Sequence, residues 1–144
     1  MKNYYCLTTS DLRQEEAFNI FKKRIEEKKF PLYFRTPYLN KIKEKDEIIF
    51  YIAGKSTNAQ TFVASAEISL VDNLTDTIID PDKTRNVVIK YLMLENILIF
   101  KQPKKIKSIL DKLKFIKNKK HYGFNLVGGV TKIFPEDFIT INNM

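Results

Sequence analysis

Hydrophobic and polar positions change their period several times along the chain, and each change predicts an element. Asn3 to Thr8 carries Tyr and Leu at β-favouring positions and predicts a short strand. Thr9, Ser10 and Asp11 are N-cap residue types. Beyond them Ala17, Phe18, Phe21 and Ile25 recur on one helical face. Glu15, Glu16, Lys22, Lys23, Glu26 and Glu27 take the other, so a helix is expected to about Lys28. Lys29-Phe30-Pro31 ends it, because the residue before a proline is pushed out of the helical region. Leu32 to Arg35 reads as extended and Tyr38 to Ile42 as one helical turn.

The polar turn Lys43 to Asp46 leads into Glu47 to Ile52, apolar at nearly every position and therefore expected to be buried on both faces. Gly54 to Gln60 is a polar hairpin loop. From Thr61 to about Val71, Phe62, Ala64, Ala66, Ile68 and Leu70 alternate with more polar partners, the period of a half-buried strand. Asp72 to Arg85 reads as a loop. Val87 to Leu94 and Ile97 to Phe100 read as strand, with Glu95-Asn96 as a bulge; a helix is the rival reading of this tract. Pro103 suits the first turn of a helix that carries Ile106, Ile109, Leu110 and Leu113 at i, i+3, i+4, i+7. Lys117 to Gly123 is a basic turn. Gly128-Gly129 permits positive φ or close backbone approach. Val130 to Phe134 predicts a strand, Pro135 to Phe138 a capped turn that buries Phe138, and Ile139 to Ile141 a closing strand. Five or six short strands, two or three helices and no regular βαβ alternation argue for an α+β fold: a small, strongly curved sheet or barrel with helices outside.

Composition narrows this. A chain of 144 residues with 44% apolar content suits one domain with a real core, spanning residues 1–144. The single Cys6 cannot form an internal disulfide, and no stretch reaches the roughly 18 uninterrupted apolar residues of a membrane span. A soluble, cytoplasmic monomer is expected. The net charge of +8 is local: Lys101 to Lys120 holds nine lysines and one acid, Asp111, while the remaining sixteen basic and sixteen acidic residues cancel. Such a patch suits a polyanion, with Lys101, Lys104, Lys105, Lys107, Lys112, Lys117, Lys119, Lys120 and His121 as candidate phosphate contacts. A solubilising lysine-rich helix face is the competing reading.

Catalytic patterns are sparse. One histidine and one cysteine exclude a His-rich zinc site and any CxxC pair, and neither a Walker A motif nor GxGxxG occurs. Asp72, Asp76, Asp80 and Asp82 lack the spacing of an EF-hand and read as a solvated loop. No cofactor and no metal are expected. What remains is binding chemistry: tyrosines able to stack on a base, and Thr, Ser, Asn and Arg side chains able to meet its edge or a phosphate.

Three stretches together resemble an EVE domain of the PUA-like superfamily, kin to the YTH domains. They are NYYCLTTSDL; FRTPYLNKIKEKDEIIFYIAG followed by TFVASAEI; and KKIKSILDKLKFIKNKKHYGFNLVGGVTKIFPEDFITI. They span nearly the whole chain. The resemblance implies a PUA-like curved β-barrel of five to six strands with flanking helices, a pocket for a flipped-out and often modified nucleobase, and DNA or RNA as partner. It implies a reader of bases, not a catalyst. Carried onto matching positions, it lines the pocket with Thr8, Thr9 and Ser10, with Tyr33, Arg35, Thr36 and Tyr51, and with Tyr122, Asn125, Gly128 and Gly129. The chain departs from its relatives in having no Trp, the residue that commonly cages a methylated base in related pockets. The alternative is a small metal-independent ribonuclease or nucleoside hydrolase on the same type of fold, with Tyr122, Lys120 or His121 as acid or base.

Overall fold

The computed structural model describes residues 1–12, 14–79 and 87–143. Six strands, β1 (Tyr4–Thr9), β2 (Lys29–Tyr33), β3 (Glu47–Ile52), β4 (Thr61–Ile79), β5 (Val87–Lys105) and β6 (Val130–Ile133), form one mixed, curled sheet in the order β2-β5-β4-β3-β1-β6. Three helices flank it: α1 (Ala17–Glu27), α2 (Ile106–Ile109) and α3 (Pro135–Asn142). This is the curved PUA-like α+β architecture that the resemblance implied.

The alternation of side chains along β1 and β3 divides the core into two layers. Tyr5, Leu7, Ile48, Phe50 and Ile52 face the layer closed by Ala17 and Phe21 of α1. Cys6, Ile49 and Tyr51 face the other, closed by Ile106, Ile109, Phe138 and Ile141. The nearly unbroken apolar run of β3 is thus buried on both faces, as its composition requires. The start of β4 departs from the half-buried expectation, because Val63 and Ser65 are buried together with Phe62, Ala64 and Ala66, whereas Leu70 is exposed.

Among the described residues β1 and β3 are the one parallel pair, Tyr4 opposite Glu47 through Thr9 opposite Ile52. Their carboxyl ends therefore emerge side by side at one rim of the sheet. Asp46 sets this register: its buried carboxylate accepts the N–H groups of Asn3 (2.9 Å) and Lys43 (2.9 Å).

Several elements differ from the sequence expectations. α1 begins at Ala17, not directly after Thr9-Ser10-Asp11, although Asp11 still caps it from a distance: its Oδ1 accepts the Ala17 N–H at 2.9 Å. On α1 the buried side chains include Arg24, whose guanidinium lies 4.7 Å from the Phe30 ring centre. Residues 72–79 continue β4 and pair with β5; the remainder of the expected loop, with Asp80, Pro81 and Asp82, lies outside the described residues. β5 is one strand with the anticipated bulge, Asn96 adopting φ 50°. Pro103 belongs to that strand, not to a helix. The expected basic helix shrinks to the single turn α2 followed by a 3-10 turn at Leu110–Lys112; Ile106, Ile109 and Leu113 are nonetheless buried, so the apolar periodicity holds and only the helix length differs. The expected closing strand at Ile139 to Ile141 is part of α3, which Pro135 starts and Asp137 caps by accepting the Phe134 N–H at 3.0 Å.

Candidate functional site

A concavity of about 580 Å³ opens at the rim where β1 and β3 end. Thr8 and Ser10 supply one wall, and Tyr51, Ala53, Gly54 and Gln60 the floor. The segment from Lys120 to Gly129 arches over the remaining side. That segment is a 3-10 turn at Tyr122–Leu126 that buries Leu126, followed by Gly128 and Gly129 at φ 96° and 85°. A Cβ on Gly128 would lie 2.9 Å from Pro37 Cγ, so both its backbone angle and its surroundings demand glycine. The Gly129 carbonyl accepts the Thr8 N–H at 2.8 Å and ties the arch to β1.

Tyr51 and Tyr122 line the cavity together. The Tyr51 ring is buried, 5.2 Å from Phe62 and tilted 54° to it, and burial, reinforced by Tyr122 and Cys6, pushes its phenol pKa far up. Cys6 beneath it is raised to about 12 by burial, so thiol and phenol both stay neutral at physiological pH. The Tyr122 hydroxyl donates to Gln60 Oε1, and Gln60 Nε2 reaches the Gly54 carbonyl at 3.4 Å. Thr8 Oγ1 and Thr9 Oγ1 are shielded from solvent, and neither makes a sound hydrogen bond to a described residue; the Thr8 hydroxyl's polar neighbour is the Cys6 thiol. Shielded hydroxyls at the edge of a cavity are sites for a ligand or water to satisfy. Asp11 anchors the neighbouring loop: its carboxylate accepts from Ser56 Oγ and the Lys55 N–H, and these bonds, with that from Ala17, hold its pKa below the ordinary carboxylate value.

Of the residues expected to line a pocket, Thr8, Ser10, Tyr51, Tyr122, Gly128 and Gly129 are brought together, with Lys120 and His121 from the basic group. Thr9, 3% exposed, is not part of the lining; the alternation along β1 turns it to the face opposite Thr8. Asn125 staples the arch instead of lining the cavity: its Oδ1 accepts the Asn118 N–H (3.3 Å) and its carbonyl accepts from Thr131 Oγ1 (3.1 Å). Tyr33, Arg35 and Thr36 lie outside the cavity lining. The Tyr33 hydroxyl receives Arg24 Nη2 at 2.9 Å, Thr36 Oγ1 accepts the Tyr33 N–H at 3.1 Å to close a tight turn, and Arg35 is exposed at φ 69° with its guanidinium 5.5 Å from the Phe34 ring. Pro37, just after their turn, packs behind Gly128. Gln60, Ala53, Gly54, Gly123, Leu126 and Val127 complete the lining and were not anticipated. The one signal for them was the Ala53-Gly54 break after the β3 run.

The lysines also divide. Lys104 Nζ lies against the last carbonyls of α3, at 2.7 Å from Ile141 O and 3.2 Å from Asn142 O, and burial lowers its pKa. Lys119 Nζ caps the carbonyls of Leu110 and Leu113. Lys114 pairs with Glu136 at 3.2 Å. Lys101, Lys105, Lys107, Lys112, Lys117 and Lys120 are exposed. They are spread over the end of β5, the α2 turn and the coil beyond, not along one helix face. A second depression shares Gly54 and Gln60 with the main cavity and is bordered by Lys55 and Lys105, so lysines stand on both sides of the shared wall. Among the described residues no cluster of three or more His, Cys, Asp or Glu is placed to hold a metal, and no helix is long and apolar enough to cross a membrane.

No protein-family model and no curated protein matches the sequence. Solved structures do match, over almost the full length of both chains. The N-terminal domain of Staphylothermus marinus McrB aligns with a TM-score of 0.53 at 12% identity, covering 99% of this chain and 94% of that one. A Pseudomonas putida protein aligns at 0.58 and 13%, covering 97% of each. Human THYN1, solved in complex with DNA containing 5-methylcytosine, aligns at 0.56 and 9%, covering 99% and 96%. At such identities the likeness shows the fold: a PUA-like α+β domain. The EVE-domain resemblance read from the sequence agrees with this fold.

Proposed function

We propose that this chain is a nucleic-acid-binding module that takes a modified nucleobase, flipped out of its strand, into the cleft between the β1 and β3 ends and the 120–129 arch. One observation carries the reading. The cleft offers two tyrosines, the shielded Thr8 hydroxyl and an exposed lysine, with no carboxylate in its lining. Tyrosine rings stack on any base, hydroxyls and the Gln60 amide meet its edge, and the absence of acids leaves a neighbouring phosphate unopposed. The THYN1 structure holds 5-methylcytosine DNA on the same fold, which supports the reading. The role is one of binding, not catalysis: Tyr51 is held neutral, and the imidazole of His121 sits at the exposed mouth with no carboxylate in the lining to orient it.

The test is a set of labelled duplexes identical except at one central base: cytosine, 5-methylcytosine, 5-hydroxymethylcytosine, adenine or N6-methyladenine. Anisotropy titrations should show one modified duplex bound more tightly than its unmodified counterpart. Tyr122→Ala should lower that affinity by about one order of magnitude, the worth of one stacked base, and leave the unmodified duplex unchanged. Equal affinity of the wild type for all five would contradict a base-reading cleft.

A further inference from the structure

The same arch that closes the cleft carries two large, exposed apolar side chains. Phe124 is 72% exposed and Val127 70% exposed, whereas Tyr122 and Leu126 of the same turn face inward. Exposed apolar residues are ordinary when scattered. Val127 forms part of the cleft lining, Phe124 belongs to the same turn, and the exposed Lys117 and Lys120 precede them in the chain. The His121 ring lies 5.8 Å from Phe124. The turn is also braced. Asn118 Oδ1 accepts the His121 N–H at 2.9 Å, and Asn125 Oδ1 accepts the Asn118 N–H at 3.3 Å. Thr131 and Gly129 tie the far end to β6 and β1. Apolar side chains held rigidly at a basic rim, beside a cavity sized for a base, have the properties of a wedge.

We propose that Phe124, supported by Val127, enters the base stack of a duplex and occupies the gap that an extruded nucleotide leaves. This deepens the preceding reading and rests on the chain binding nucleic acid, though not on which base the cleft prefers. An extruded base leaves two unstacked neighbours whose faces are apolar, and an inserted Phe restores contact with them. The neighbouring Lys117 and Lys120 hold phosphates of the strand and keep the wedge over the groove.

The identity of the preferred base is removed from the test by using a duplex with one abasic nucleotide, which contains a gap and no base to read. The wild type should bind it about fivefold or more tightly than the intact unmodified duplex of the same sequence, a difference on the scale of one stacking contact. The Phe124→Ser variant removes one exposed side chain that is not part of the cleft lining. It should keep its melting temperature and its affinity for the intact duplex, and lose the abasic preference. Phe124→Leu should recover part of that preference. Retention of the abasic preference by Phe124→Ser would overturn the wedge, and so would its absence from the wild type, whatever the modified-base series shows. Failure to bind any of the nucleic acids would overturn the underlying reading as well.

Discussion

Replacing Asp137 with Ala should lower the stability of this domain by about 3–5 kcal/mol. The Asp137 carboxylate is fully buried and accepts three backbone N–H groups: Lys114 at 2.6 Å, Phe115 at 3.2 Å and Phe134 at 3.0 Å. It caps α3 and pins the 114–115 backbone against that helix in one stroke. Removal leaves three donors without their acceptor, each costing about 1–3 kcal/mol where water cannot replace it. Domains of this size have roughly 5–15 kcal/mol in total, so the loss is a large fraction of it, and the melting temperature should fall by about 10 °C or more. Asp137→Asn keeps one acceptor oxygen and should lose less. The neighbouring exposed pair Lys114–Glu136 contributes at most about 1 kcal/mol, so Glu136→Gln is a useful control. A fall of less than about 3 °C in Asp137→Ala, measured by calorimetry, would mean that the carboxylate is not the staple described.

The sheet was largely legible because period-two alternation and unbroken apolar runs report burial directly. The strands β1, β3 and β6, the α1 helix and the Glu95-Asn96 bulge all carry such local signals. Where the reading strayed, a tertiary contact outweighed the local preference. Ile139-Thr140-Ile141 is β-branched and reads as strand, but Pro135 and Asp137 start a helix that buries Phe138 and Ile141 at i and i+3. Ile106, Ile109 and Leu113 reach the core through a helical turn and a 3-10 turn, a path whose apolar spacing matches that of a longer helix.

The site was half legible for a topological reason. The Thr8-Thr9-Ser10 strand end and the glycine pair announce themselves by residue type. Their meeting with Tyr51 and Gln60 depends on the parallel β1–β3 pairing, which no local pattern encodes. The aromatic-flanked Arg35 offered a persuasive stacking group. Its neighbours, however, are engaged by Arg24 and by the turn, and its own backbone at φ 69° directs the segment behind the arch. Likewise, nine lysines in twenty residues looked like one face, and three of them turn out to cap helix ends or pair locally.

That division of the lysines yields the second large effect. Charge reversal of Lys105, Lys117 and Lys120 to Glu should weaken duplex binding by about two orders of magnitude at low salt, irrespective of sequence. It should also flatten the plot of log affinity against log salt by about 0.9 for each phosphate that is no longer neutralised. Lys120 lines the cleft, Lys105 lines the second depression that shares Gly54 and Gln60 with it, and the exposed Lys117 lies shortly before Lys120 in the chain. The difference between variant and wild type should shrink as salt rises, because exposed charges are screened. Lys104→Ala is the contrast: its ammonium serves the α3 carbonyls, so it should lower the melting temperature and leave the salt slope unchanged. An unaltered slope in the triple variant would remove these lysines from the phosphate path.

The central claim is that the cleft itself receives the base, and amide chemical-shift mapping tests it most directly. Titrating isotope-labelled protein with the tightest-binding modified duplex, against its unmodified twin, isolates the shifts caused by the modified base alone. The account predicts that these differences concentrate at Thr8, Tyr51, Tyr122, Gly128 and Gly129. Differences centred instead on Phe34, Arg35 and Thr36, with the cleft amides unmoved, would contradict it.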